Sequence, residues 1–130
     1  MNIEHFDDLL AMARAQTQPQ RLLMVFTTAE CEPDATPAQR AAHAAGEGGV
    51  LRPLMCVDKA PEELADFAAL AAEARDAGPP WSLLFTAALA GRTSASEIQR
   101  MLDLLVKRVE AGEFGGLLPF NPAGEVVLIG

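Results

Sequence analysis

Three short stretches of this 130-residue sequence carry side chains able to do chemistry, and each follows an apolar run. In the last of them, Gly91 permits a close backbone approach, Arg92 supplies positive charge, and Thr93 and Ser94 lead into a helix start whose amides can receive an anion. The same residues are also what a good turn and helix cap look like, with Ser94 and Glu97 spaced as a capping box. Asp58 and Lys59 follow another run, in the position where open α/β sheets place ligands beyond the carboxyl ends of their strands. Their plainer reading is a solvated turn before a helix. Cys31 stands in a polar loop just after Thr27 and Thr28, where an exposed thiol could react. Glu30, Glu32 and Asp34 crowd it with negative charge, which opposes the thiolate and favours an incidental loop cysteine.

The larger catalytic and cofactor sets are missing. Cys31 and Cys56 form no CxxC pair, and with only two histidines they make neither a zinc set nor a disulfide scaffold. His5 falls in the first turn of one helix and His43 in an alanine-rich one, so nothing brings either to a hydroxyl and carboxylate as a triad requires. Neither GxGxxG nor a phosphate loop ending in GK[ST] is present. We therefore expect no metal, no cofactor and no catalytic residue. Cys56, inside the run Leu54, Met55, Cys56 and Val57, reads as a core residue. Trp81 reads as a core anchor before an interface aromatic. Arg100, Lys107 and Arg108 lie among Asp103, Glu110 and Glu113, which describes a solvated helix face.

The composition narrows the partners. Ten basic and 18 acidic side chains give a net charge of -8, which favours solubility and opposes attraction to nucleic acid or anionic lipid. No apolar stretch approaches the roughly 18 to 20 residues that span a bilayer, and no basic segment leads into an apolar one at the amino terminus. A reducing, cytoplasmic, bacterial setting fits these features. The length suits a single domain over residues 1–130, with half of its side chains apolar.

The elements that position these residues follow from periodicity and punctuation. Ile3, Phe6, Leu10 and Ala13 predict an amphipathic helix over residues 3–15, ended by Pro19. Leu22, Leu23, Met24, Val25 and Phe26 predict a strand covered on both faces. Thr36, Pro37 and Gln39 mark a second helix start, and Gly46, Gly48 and Gly49 its end. Residues 50–57 predict a strand that, because of Pro53, either lies at an edge or is regular only after the proline. A helix opens at Pro61 and stops at Gly78, Pro79 and Pro80, and residues 81–88 supply a central strand. Ile98, Met101, Leu102, Leu105 and Val109 define the clearest helix, with Asp103 and Lys107 placed to pair and Gly112 at its C-cap. Asn121, Pro122, Ala123 and Gly124 spell a type I turn between residues 117–120 and 125–129, hence a closing hairpin.

The element order is αβαβαβαββ. Helices between strands favour parallel neighbours, while the final pair is antiparallel, so the expected fold is α/β: a single-layer mixed sheet of about five strands with helices on its faces. A thioredoxin-like arrangement shares part of this order and its late hairpin, without the paired cysteines of an oxidoreductase.

Phe6 to Leu10, Arg21 to Phe26, Pro53 to Lys59 and Glu63 to Phe67 together resemble a family of small proteobacterial proteins of unknown function, often labelled ribonucleotide reductase subunit alpha. The resemblance covers nearly the whole chain and implies no activity, ligand or catalytic residue. The genuine catalytic subunit of that enzyme is similar in name only. Its family is known for a large barrel, a radical-bearing cysteine and a reducing cysteine pair, which 130 residues with two isolated cysteines cannot house. Two function classes follow. The first is a noncatalytic binding or protein-interaction module, including self-association. The alternative is a small-anion or nucleotide-binding protein, which admits catalysis, using Gly91 to Ser94 with Lys59 and Asp58.

Overall fold

Five consecutive apolar residues suit a strand covered on both faces. Leu22, Leu23, Met24, Val25 and Phe26 are each at most 2% exposed in the computed structural model, which describes residues 3–30, 36–38 and 50–127. The order of its elements is α1 (Phe6–Arg14), β1 (Gln20–Glu30), β2 (Val50–Lys59), a 3₁₀ turn (Pro61–Glu63), α2 (Phe67–Ala77), β3 (Leu83–Ala90), α3 (Ala95–Glu110) and β4 (Leu118–Phe120). Pro37 and Ala38 are helical directly after Thr36, where the cap pattern places a helix start. The remainder of that helix, His43 and Cys31 lie outside the described residues.

The alternation of β1 divides the core in two. Leu22, Met24 and Phe26 point to α1 and α2, where Phe6, Leu10, Phe67 and Leu70 meet them together with Phe120 of β4. Leu23 and Val25 point to the opposite face and pack with Phe85, Leu102, Leu105, Val109 and Leu117 beneath α3. Two buried hydroxyls are satisfied within the sheet region: Thr27 Oγ1 donates to the Leu83 carbonyl at 3.1 Å and Thr86 Oγ1 to the Leu118 carbonyl at 3.2 Å.

The described sheet has four strands in the order β2-β1-β3-β4, and every neighbouring pair is antiparallel. This corrects the expected mixed sheet with parallel neighbours. β2 and β3 do run parallel to one another, joined through α2, but β1 lies between them and opposes both. The crossover therefore skips a strand, as in a split βαβ unit. The continuously apolar β1 takes a central place because it can be buried on both faces. β2, with Pro53 and several polar residues, takes an edge as expected.

Several boundaries also shift. Pro61 opens only a 3₁₀ turn, and α2 begins six residues later behind Asp66, whose side chain accepts from the Ala69 N–H at 2.9 Å. β3 starts after Trp81, which packs its ring against Phe26 and Phe67 at 5.0 and 6.3 Å, as a core anchor would. The turn at residues 121–124 closes with Gly124 N–H donating to the Asn121 carbonyl at 2.9 Å, and Phe120 bridges Val126 antiparallel. Gly124 takes a left-handed φ of 83° there, which glycine adopts without steric cost.

Candidate functional site

Antiparallel pairing sorts the candidate residues by sheet end. In the register of the sheet, Lys59 lies opposite Leu22, Asp58 opposite Leu23, and Ala90 opposite Gln20. Asp58, Lys59 and the loop that begins at Gly91 thus share one end. Thr28 pairs with Arg52 toward the other. Convergence of Thr28 with Asp58, Lys59 and Arg92 is excluded by the direction of β1, and Cys31 lies outside the described residues.

Asp58 and Lys59 are the last two residues of β2 rather than a loop beyond it. Arg21, at the start of β1, donates to Asp58 Oδ2 from Nε at 2.7 Å and from Nη2 at 2.6 Å. Its Nη1 reaches Glu63 Oε1 at 3.1 Å, and that carboxylate also accepts from the Ala60 N–H at 3.0 Å. Lys59 Nζ contacts both oxygens of Glu73, at 3.2 and 3.1 Å. These groups tie β1, β2, the 3₁₀ turn and α2 together. Their carboxylates outnumber their cations, so this cluster offers no surplus positive charge to an anion.

The loop at Gly91 is built differently. Gly91 has a φ of +85°, and its N–H donates to the Pro19 carbonyl at 2.8 Å. A Cβ at this position would meet no heavy atom within 4 Å, so the glycine answers to the turn rather than to a close packing neighbour. Thr93 is half-buried, while Arg92 and Ser94 are exposed. Ser94 Oγ accepts from the Glu97 N–H at 3.2 Å, completing the expected cap, and also lies 3.3 Å from Ser96 Oγ. The Glu97 carboxylate turns to Arg100 at 2.8 Å, so the cap operates without the reciprocal half of the box.

Cys56 is exposed, which corrects its expected place in the core. Met55 and Val57 pack toward the first core, and strand alternation sends Cys56 to the other face at the sheet's edge. On α3, Asp103 accepts from Gln99 Nε2 at 2.9 Å instead of pairing with Lys107. His5 precedes α1 as its N-cap, a role that reading the helix as starting at residue 3 conceals.

The outer side of α3 holds the feature missed by reading the sequence for catalytic sets. Leu104 is the large apolar side chain left exposed among the described residues, at 49%. With Arg100, Met101, Asp103 and Lys107 it lines an open surface depression along α3. The available sequence signal is an apolar residue turned away from the buried stripe of Leu102, Leu105 and Val109 and set between two cations. No group of histidine, cysteine and carboxylate side chains able to hold a metal occurs among the described residues. Comparison with protein families, curated proteins and solved structures returned no match to this chain.

Proposed function

We propose that this chain is a noncatalytic protein-interaction module that docks a partner on the outer side of α3. The observation that carries this reading is Leu104, exposed between Arg100 and Lys107 at the open depression they line. An apolar anchor inside a charged rim has the anatomy of a docking patch. Lys107 forms no ion pair with another described residue, so the matching partner presents an apolar side chain flanked by carboxylates. The net charge of -8 favours a protein partner over nucleic acid. No helix among the described residues is long and apolar enough to cross a membrane. We place the protein in the bacterial cytosol, beside the small proteobacterial family it resembles. A thioredoxin-like closing hairpin belongs to the same proposal, supported by the isolated bridges at Glu125 and Val126; residues 128 and 129 of the expected last strand lie outside the described residues.

Leu104→Asp is expected to weaken partner capture from the native cell extract roughly tenfold or more, because a central anchor is ordinarily worth about 2 kcal/mol. Its unfolding free energy should remain within about 0.5 kcal/mol of the parent, as for other surface changes. Lys107→Glu should weaken capture by the same partner. Light scattering after size exclusion identifies self-association through this patch. A strictly monomeric protein whose captured partners are the same for parent and Leu104→Asp overturns the reading.

Arg92 supports a second reading, that of an anion site. It is exposed at the N-terminal end of α3 and makes no hydrogen bond or ion pair among the described residues. Lys59 and Asp58 are committed elsewhere, so Arg92 and the amides after Ser94 would carry this site alone. Inorganic phosphate or a nucleoside diphosphate should raise the melting temperature of the parent and leave Arg92→Ala unaffected. Equal stabilisation of both removes the site.

A further inference from the structure

His5 stands where three parts of the chain meet, with both ring nitrogens engaged. Nδ1 lies 3.0 Å from the Asp7 N–H as the cap of α1. Nε2 lies 3.0 Å from the Ala123 carbonyl, and the ring packs edge-on to Phe67 at a centroid distance of 5.7 Å. A carbonyl only accepts and a backbone N–H only donates. The neutral tautomer with its proton on Nε2 therefore satisfies both partners at once. The surrounding backbone is joined as well: Phe6 N–H donates to Gly124 at 2.8 Å, and Val126 N–H donates to Glu4 at 3.0 Å.

We propose that His5 is a proton-sensitive latch whose protonation at Nδ1 uncaps α1 and passes the ring to the Asp7 carboxylate. A charged imidazole has two donors and no acceptor, so its Nδ1–H would oppose the Asp7 N–H. Asp7 Oδ2, 3.5 Å from Nδ1, is the acceptor in reach. The other oxygen of that carboxylate accepts from the Phe67 N–H at 2.7 Å, so the exchange bears on the junction between α1 and α2. Of the ionisable groups on the elements that meet here, Asp7 has an oxygen in contact with the ring; Glu4 and Asp8 flank it at the start of α1, Asp66 precedes Phe67, and Glu125 bridges His5 through the backbone. Asp8 Oδ2 is already occupied by the Glu4 and His5 N–H groups, at 3.1 Å each. The Nε2–H contact to Ala123 survives the exchange, now charge-assisted. Imidazole ordinarily changes charge between about pH 5 and 8.

Nitrogen-15 NMR of the whole chain, titrated from pH 8 to pH 5, tests the latch. The neutral ring is expected as the Nε2–H tautomer. The hydrogen-exchange protection factor of the Asp7 amide should fall about fivefold as His5 gains its proton, in line with the ordinary value of a side-chain cap. His5→Asn keeps a cap acceptor and does not titrate, so it should retain the fold and abolish that step. A neutral Nδ1–H tautomer, a protection factor unchanged through the titration, or the same step in His5→Asn overturns the proposal.

Discussion

Gly124→Ala is expected to destabilise the protein by about 2 to 4 kcal/mol, measured by urea unfolding, because it meets two independent penalties. The first is conformational: at φ +83° an L side chain is strained, at about 1 to 2 kcal/mol for a left-handed residue. The second is steric. The added Cβ would lie 2.5 Å from His5 Nε2 and 2.8 Å from Phe67 Cδ2. Neither ring can withdraw freely, since His5 caps α1 and contacts Ala123, while Phe67 is buried among Phe6 and Trp81. Gly91→Ala separates the two penalties. Its φ of +85° imposes the same conformational strain, but open space surrounds the new Cβ, so a loss of about 1 kcal/mol is expected. Equal losses for both variants would show that the close approach at Gly124 relaxes without cost.

The contrast between these glycines illustrates what residue order reveals. The residues 121–124 spell their turn through local preferences, and the structure closes it as spelled. The caps at Ser94 and the apolar stripe of α3 are equally local and equally legible. β1 is legible too, since a short run of five apolar residues bounded by Pro19 and polar Thr27 and Thr28 suits a strand covered on both faces. Strand adjacency is different, because it depends on contacts between distant segments. Nothing within residues 20–30 says that β2 and β3 will flank them from opposite sides. That placement, with β1 opposing both neighbours, replaces the parallel pairing expected of them and moves Thr28 away from Asp58. The ion pairs of Arg21 and Lys59 are hidden for the same reason: their partners lie 42 and 14 residues away, at Glu63 and Glu73. Cys56 was misplaced by composition, which reports an apolar run but not that one side of an edge strand faces solvent. The His5 latch joins residues 118 apart, from His5 to Ala123.

Phe6→Ala is expected to cost about 3 to 5 kcal/mol, the usual range for deleting a buried phenylalanine ring. Phe6 is fully buried and its ring contacts Phe67 at 5.6 Å and Phe120 at 5.4 Å, so one side chain joins α1 to α2 and β4. The cavity would open among three elements held to one another by that ring. Domains commonly have only 5 to 15 kcal/mol of stability in total, so the variant approaches unfolding, and Phe6→Leu provides a measurable intermediate. Phe114 is the useful comparison. On the opposite face of the sheet from Phe6, it stacks on Phe85 at 4.9 Å but is only partly buried, and its truncation should therefore cost less than that of Phe6. Because β1 separates the two clusters, the losses from Phe6→Leu and Phe114→Ala should add to within about 0.5 kcal/mol in the double variant. A larger coupling would mean that the sheet transmits repacking from one face to the other, and that α1 and α3 are held by one core instead of two.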